Sequence, residues 1–130
     1  MARFSMAEAR QLEKNLAPIY DLVRFVDAKA CKVLYFEEDG TVRSEGRCFN
    51  TWGREHRCRH CTSFCADQSQ KKMEKDEVSN DHIYHVLSTP IEVEMPDKSI
   101  FHCAMELVTN YPRSAAAREM RDRDVLQILS

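Results

Sequence analysis

His82-Ile83-Tyr84-His85-Val86-Leu87-Ser88-Thr89-Pro90-Ile91-Glu92-Val93 is the stretch on which the fold turns. It is long, glycine-free and rich in β-branched and aromatic residues, so it predicts a strand. Pro90 demotes or bends it, because proline has no N–H to give a sheet ladder. Pro96-Asp97-Lys98 supplies a turn. Ser99 to Thr109 then returns as the partner strand, with Phe101, Cys103, Met105 and Leu107 on one face.

Working outward toward the N-terminus, Leu22, Val23, Phe25 and Val26 predict a first strand that reaches Asp27. Cys31 to Glu37 predicts a second, and Asp39-Gly40 after it is a hairpin-turn signal. Ser5 followed by Glu8 has capping-box spacing, which predicts a helix from residue 5 to about 17. Ala9, Leu12, Leu16 and Ile19 recur at helical spacing, and Pro18 bends or ends that segment. Gly46 to Lys75 is polar, cysteine-rich and read as irregular or helical, with a short helix over Ala66 to Lys75. Beyond Pro112, the alanine-rich, charged segment Ser114 to Leu129 reads as an exit helix. The fold class is therefore α+β, and no internal repeat is present.

The composition narrows the function. The 130 residues are 43% hydrophobic and 31% charged, enough for one domain with its own core. Nineteen Lys and Arg against 21 Asp and Glu leave a net charge of −2, which argues against a general nucleic-acid binder. No apolar run approaches the roughly 20 residues of a membrane span. The first residues lack the apolar stretch of a signal peptide, so a cytoplasmic location is expected. No nucleophile motif or phosphate loop stands out, and the chain is read as a non-enzyme.

Six cysteines are the unusual feature. In a chain without an export signal, clustered thiols point to metal or redox chemistry more than to structural bridges. Cys48, Cys58, Cys61 and Cys65 form a C-x9-C-x2-C-x3-C pattern. A C-x2-C pair sets two sulfurs on one tight turn, where thiolates suit tetrahedral zinc or an iron–sulfur cluster. Zinc is placed ahead of iron–sulfur, and reduced thiols or one local disulfide are the alternative. His56, His60 and Cys31 are further candidate ligands, and Trp52 would anchor the loop to the sheet. Cys31 and Cys103, on strands, are read first as small buried hydrophobes.

These residues carry a resemblance. Val23-Arg24-Phe25-Val26-Asp27, Cys48-x3-Trp52, Cys58-x2-Cys61-Thr62-Ser63 and Met105-Glu106-Leu107-Val108-Thr109 resemble the PAS-like sensor domains found upstream of bacterial diguanylate cyclase (GGDEF) or histidine kinase modules. The resemblance covers roughly residues 20 to 110. It implies a five-stranded antiparallel sheet with helices on one face and flanking N- and C-terminal helices. Its three shared cysteines are Cys48, Cys58 and Cys61, with Cys65 additional. The domain division it implies is a flanking helix over 1–20, a sensor domain over 21–111 with a cysteine-rich loop at 46–66, and a signalling helix over 112–130. The expected function is a cytosolic sensory domain with a cysteine-bound metal and a downstream output module, with a small-molecule ligand in the pocket as a further possibility. The alternatives are a structural zinc-stabilised interaction module and a metal-free thiol switch. Met6 to Leu16 and Ala115 to Leu129 would either form a homodimer or pack across the sheet. The chain stops within the apolar pattern Val125, Leu126, Ile128 and Leu129, which predicts that the gene continues.

Overall fold

The computed structural model describes residues 2–52, 55–56, 58, 61–79 and 82–112. The chain runs β1 (Ala2–Ser5), α1 (Met6–Leu16), β2 (Leu22–Asp27), β3 (Lys32–Phe36), β4 (Val42–Arg47), a 3-10 turn (Cys48–Trp52), α2 (Thr62–Ser69), β5 (Met73–Ser79), β6 (His82–Glu94) and β7 (Ile100–Pro112). The expected exit helix, Ser114 to Ser130, lies outside the described residues, as does His60.

The two long strands are the frame. β6 and β7 pair antiparallel without interruption from His82↔Pro112 to Glu94↔Ile100. β2 pairs antiparallel with the other edge of β7, β3 with β2, and β4 with β3. The free edge of β6 is shared: β5 runs antiparallel along His82 to Ser88, and β1 runs parallel along Ile91 to Glu94. The result is a seven-stranded mixed sheet in an α+β fold, not the expected five-stranded antiparallel one. Three of the seven strands, β1, β4 and β5, lie outside the sequence reading. β1 is too short, and β4 too exposed, to carry an alternating apolar pattern. Pro90 does not break β6. It falls between the stretch paired to β5 and the stretch paired to β1, where no neighbour on that edge calls for its missing N–H.

Alternation divides the sheet into two faces. Val23 and Phe25 of β2, Leu34 and Phe36 of β3, Ile91 and Val93 of β6, and Cys103, Met105 and Leu107 of β7 form the main core. α1 closes that core with Met6 and Ala9, and Leu12 and Leu16 pack at its margin. The helix begins with a capping box: the Glu8 N–H donates to Ser5 Oγ (3.1 Å) and the Ser5 N–H donates to Glu8 Oε1 (2.9 Å). The apolar stripe of α1 is thus spent on its own sheet, while Ile19, expected on that stripe, is exposed.

The opposite face carries the 3-10 turn and α2. α2 begins earlier than expected and ends by Ser69, not Lys75. Cys61 caps its first turn through sulfur, accepting the Phe64 N–H at 3.4 Å, and Gln70 ends it in the left-handed region. The next residues become β5, a charged edge strand whose polar sequence hides it from pattern reading. The expectation of helices on one face holds for α2, whereas the flanking helix α1 lies on the other.

Gly40 closes the β3–β4 hairpin with φ at +89°, and a Cβ there would sit 2.9 Å from Pro96 Cγ in the β6–β7 turn. Gly40→Ala is expected to lower unfolding free energy by at least about 1–2 kcal/mol from left-handed strain alone. Chemical denaturation checks this, and an unchanged midpoint would mean the turn adopts another conformation.

Candidate functional site

On the α2 face, three rows of residues cross the central strands β6, β7 and β2 in register. The outer rows are apolar: Val86, Val108 and Leu22 on one side, Pro90, Ala104 and Val26 on the other. The middle row is Ser88, Glu106 and Arg24. Arg24 and Glu106 are only 6% and 4% exposed, so this row is a charged seam inside an apolar face.

The seam is fully bonded. Arg24 Nε donates to Glu106 Oε1 at 2.7 Å. The other guanidinium nitrogens reach the 3-10 turn, one to Thr51 Oγ1 (2.7 Å) and one to the Cys48 carbonyl (3.1 Å). The second Glu106 oxygen accepts from Ser63 Oγ of α2 at 2.5 Å. Ser88 Oγ donates to Thr62 Oγ1 (2.8 Å) and lies 2.9 Å from Ser63 Oγ, whose proton goes to Glu106. No buried side-chain nitrogen or oxygen among the described residues lacks a partner. Two buried charges are expensive unless paired and hydrogen-bonded, and here each ion, besides its counter-ion, is bonded by one of the two segments that carry the cysteines.

Cys48, Cys58 and Cys61 converge on the seam. With Arg24, Glu106 and Lys75 they line a cavity of about 10 Å³, the room of roughly one water. Lys75 is held in turn by the buried Glu77 carboxylate at 2.9 Å. Burial pushes the Cys48 thiol up to about 12, with Glu106, then Cys31, then Cys61 adding to the push and Arg24 opposing it. Burial also raises Cys61, against the Phe64 N–H that its sulfur accepts. At both positions burial therefore favours the protonated thiol over the thiolate.

The other expected site residues fall elsewhere. Cys65 is exposed on α2 and stands apart from the cavity, and His56 is exposed. Cys31 is buried beside Cys48 in a small cluster with Val26. Cys103 belongs to the main core on the other face, as expected of a small hydrophobe, and burial pushes its thiol up to about 12. Trp52 ends the 3-10 turn, and its side chain lies outside the described residues. Among the described residues no three His, Cys, Asp or Glu side chains form a group that could hold a metal ion. The three converging cysteines share their cavity with the Arg24 guanidinium, and Cys65, expected as the fourth ligand, is exposed and does not line it.

Arg24 and Glu106 were missed as a pair by sequence reasoning, although a signal existed. Each is a lone charge inside an otherwise apolar strand, Leu22-Val23-Arg24-Phe25-Val26 and Ala104-Met105-Glu106-Leu107-Val108, and lone opposite charges of that kind satisfy each other when their strands pair.

No protein-family model, curated protein or solved structure matches the chain. Among the described residues no helix is long and apolar enough to cross a membrane.

Arg24→Met leaves Glu106 buried without its cation and is expected to cost about 3–5 kcal/mol in chemical denaturation. Arg24→Met with Glu106→Leu is expected to recover most of that loss. Equal losses in the single and double variants would contradict a desolvated ion pair. The raised thiols predict a second effect. A thiol whose folded value is about 12, against an ordinary 9.0, adds stability that is whole below pH 9 and lost as pH rises toward 12. Denaturation midpoints measured across that window should fall with pH, and Cys103→Ala should shallow the slope.

Proposed function

We propose that residues 21–111 form a PAS-like sensory domain whose state is set at the Arg24–Glu106 seam and relayed to a downstream output module, a diguanylate cyclase or a histidine kinase. The observation that carries this reading is the seam's connectivity. One guanidinium ties the central strands β2 and β7 to the backbone of the 3-10 turn at Cys48, and the carboxylate beside it ties them to α2 through Ser63. A change at the cysteines therefore reaches the sheet through a few charge-assisted hydrogen bonds. A buried ion pair is weak support for stability, and its best-attested use is to hold one arrangement against alternatives. The antiparallel run β3-β2-β7-β6-β5, extended by β4 at the β3 edge, and the 3-10 turn and α2 over one face support the PAS-like assignment.

The relay would leave through β7, whose strand ends at Pro112 and leads directly into the C-terminal segment. Central strand β7 also carries Glu106, so the seam and the exit share one rigid element.

The test is an in-frame fusion of the full chain ahead of a diguanylate cyclase module. The folded double variant Arg24→Met, Glu106→Leu is expected to change cyclase activity by roughly 5-fold or more relative to the unsubstituted fusion. Identical activities in two folded fusions would remove the sensory reading.

A further inference from the structure

Cys31 and Cys48 meet at the mouth of the β3–β4 hairpin. The last paired residues of that hairpin are Lys32 and Arg47, and one step beyond them the Cys48 N–H donates to the Cys31 carbonyl at 3.1 Å. This single bond holds the two backbones together just beyond the paired register, with Cys31 in the left-handed region at φ +55°. A disulfide spans Cα atoms roughly 4.4–6.8 Å apart, a spacing that one backbone hydrogen bond between two residues permits.

The side chains also share a face. The register shifts between Lys32↔Arg47 and Val33↔Glu45, leaving Gly46 as the extra residue, with φ at +68°. A glycine bulge of this kind bends its strand and restores the pairing one residue later. Cys31, Cys48 and Val26 form one buried cluster, with Val33 packed against it. Both thiols are reduced in this structure.

We propose that Cys31 and Cys48 are a disulfide-forming pair, oxidised by a peroxide. In the net step each thiol gives up one proton and one electron, the sulfur–sulfur bond forms, and hydrogen peroxide takes both protons and both electrons to become two waters. The pairing departs from the C-x2-C motif, where a redox pair is first sought. Cys61 has its sulfur committed to the α2 cap, and Cys58 packs with Val86 and Val108. The bond would fix the Cys48 carbonyl, which accepts from Arg24, relative to the β2–β3 turn. The proposal concerns the bond alone and stands apart from the sensory reading. Burial holds Cys48 in its thiol form, so the reaction runs faster at alkaline pH.

The test treats the full reduced chain with limiting hydrogen peroxide at pH 9, blocks remaining thiols with N-ethylmaleimide under denaturing conditions, and maps tryptic peptides by mass spectrometry. Trypsin places the two cysteines in separate peptides, Ala30-Cys31-Lys32 and Cys48-Phe49-Asn50-Thr51-Trp52-Gly53-Arg54. The expected product is these two peptides joined with loss of two hydrogens. Cys31→Ser should abolish it, while Cys58→Ser and Cys65→Ser keep it. Cys48 joined mainly to Cys58 or Cys61, or left unlinked while Cys65 oxidises, would overturn the proposal. The wild-type map decides by itself if a variant fails to fold.

Discussion

The Arg24–Glu106 pair constrains everything on its side of the sheet. A guanidinium and a carboxylate with side chains 7% and 5% exposed have left water behind, and the cost is several kcal/mol per ion unless every donor and acceptor is met. That requirement explains otherwise unremarkable residues. Thr51, Ser63, Ser88 and Thr62 are small hydroxyls at the points where the seam has a donor or a lone pair to satisfy. Apolar side chains there would pack but leave charges orphaned. The apolar rows on either side keep water out, which strengthens each bond and raises the penalty for losing one.

The two faces divide the physical work. Around Phe25, α1 covers an ordinary core in which Phe25 and Phe36 meet edge to face at 5.1 Å and Phe36 meets Phe101 at 6.2 Å. Burial of that kind is non-directional and roughly additive in area, so it supplies stability without demanding one geometry. The α2 face has less apolar area and more direction: its bonds require particular distances to particular atoms. Cysteine marks the contrast. Cys103 in the main core is a small hydrophobe, while Cys48, in the 3-10 turn on the other face, holds a backbone acceptor for Arg24.

Legibility from sequence followed the strength of periodic signals. The paired strands β6 and β7, the hairpin at Gly40 and the capping box at Ser5 carry local patterns that no tertiary contact overrides. β1, β4 and β5 were invisible because edge strands are short, exposed or charged, and pairing with a neighbour rather than their own pattern makes them strands. Cys48, Cys58 and Cys61, grouped by their spacing, line one cavity, whereas Cys65 sits exposed on α2, which begins at Thr62. The seam itself depends on register, which places Arg24 opposite Glu106 and Glu106 opposite Ser88. Register across three strands distant in sequence is not a local property.

The size of the cavity bears on what kind of signal could act there. About 10 Å³ admits one water and no organic ligand, and the seam has no unpartnered polar atom to attract one. A signal at this site must therefore change a bond rather than fill a space. The magnitudes allow it. A hydrogen bond to a charged group contributes about 1.5–3 kcal/mol. Coupling free energies between sites are typically about 1–3 kcal/mol. Gaining or losing the single bond from Arg24 to the Cys48 carbonyl falls within that range. On the proposed sensory reading, chemistry at Cys48 needs no large motion to be felt at β7, because the carbonyl, the guanidinium and the Glu106 carboxylate form one unbroken chain of contacts into the central strand.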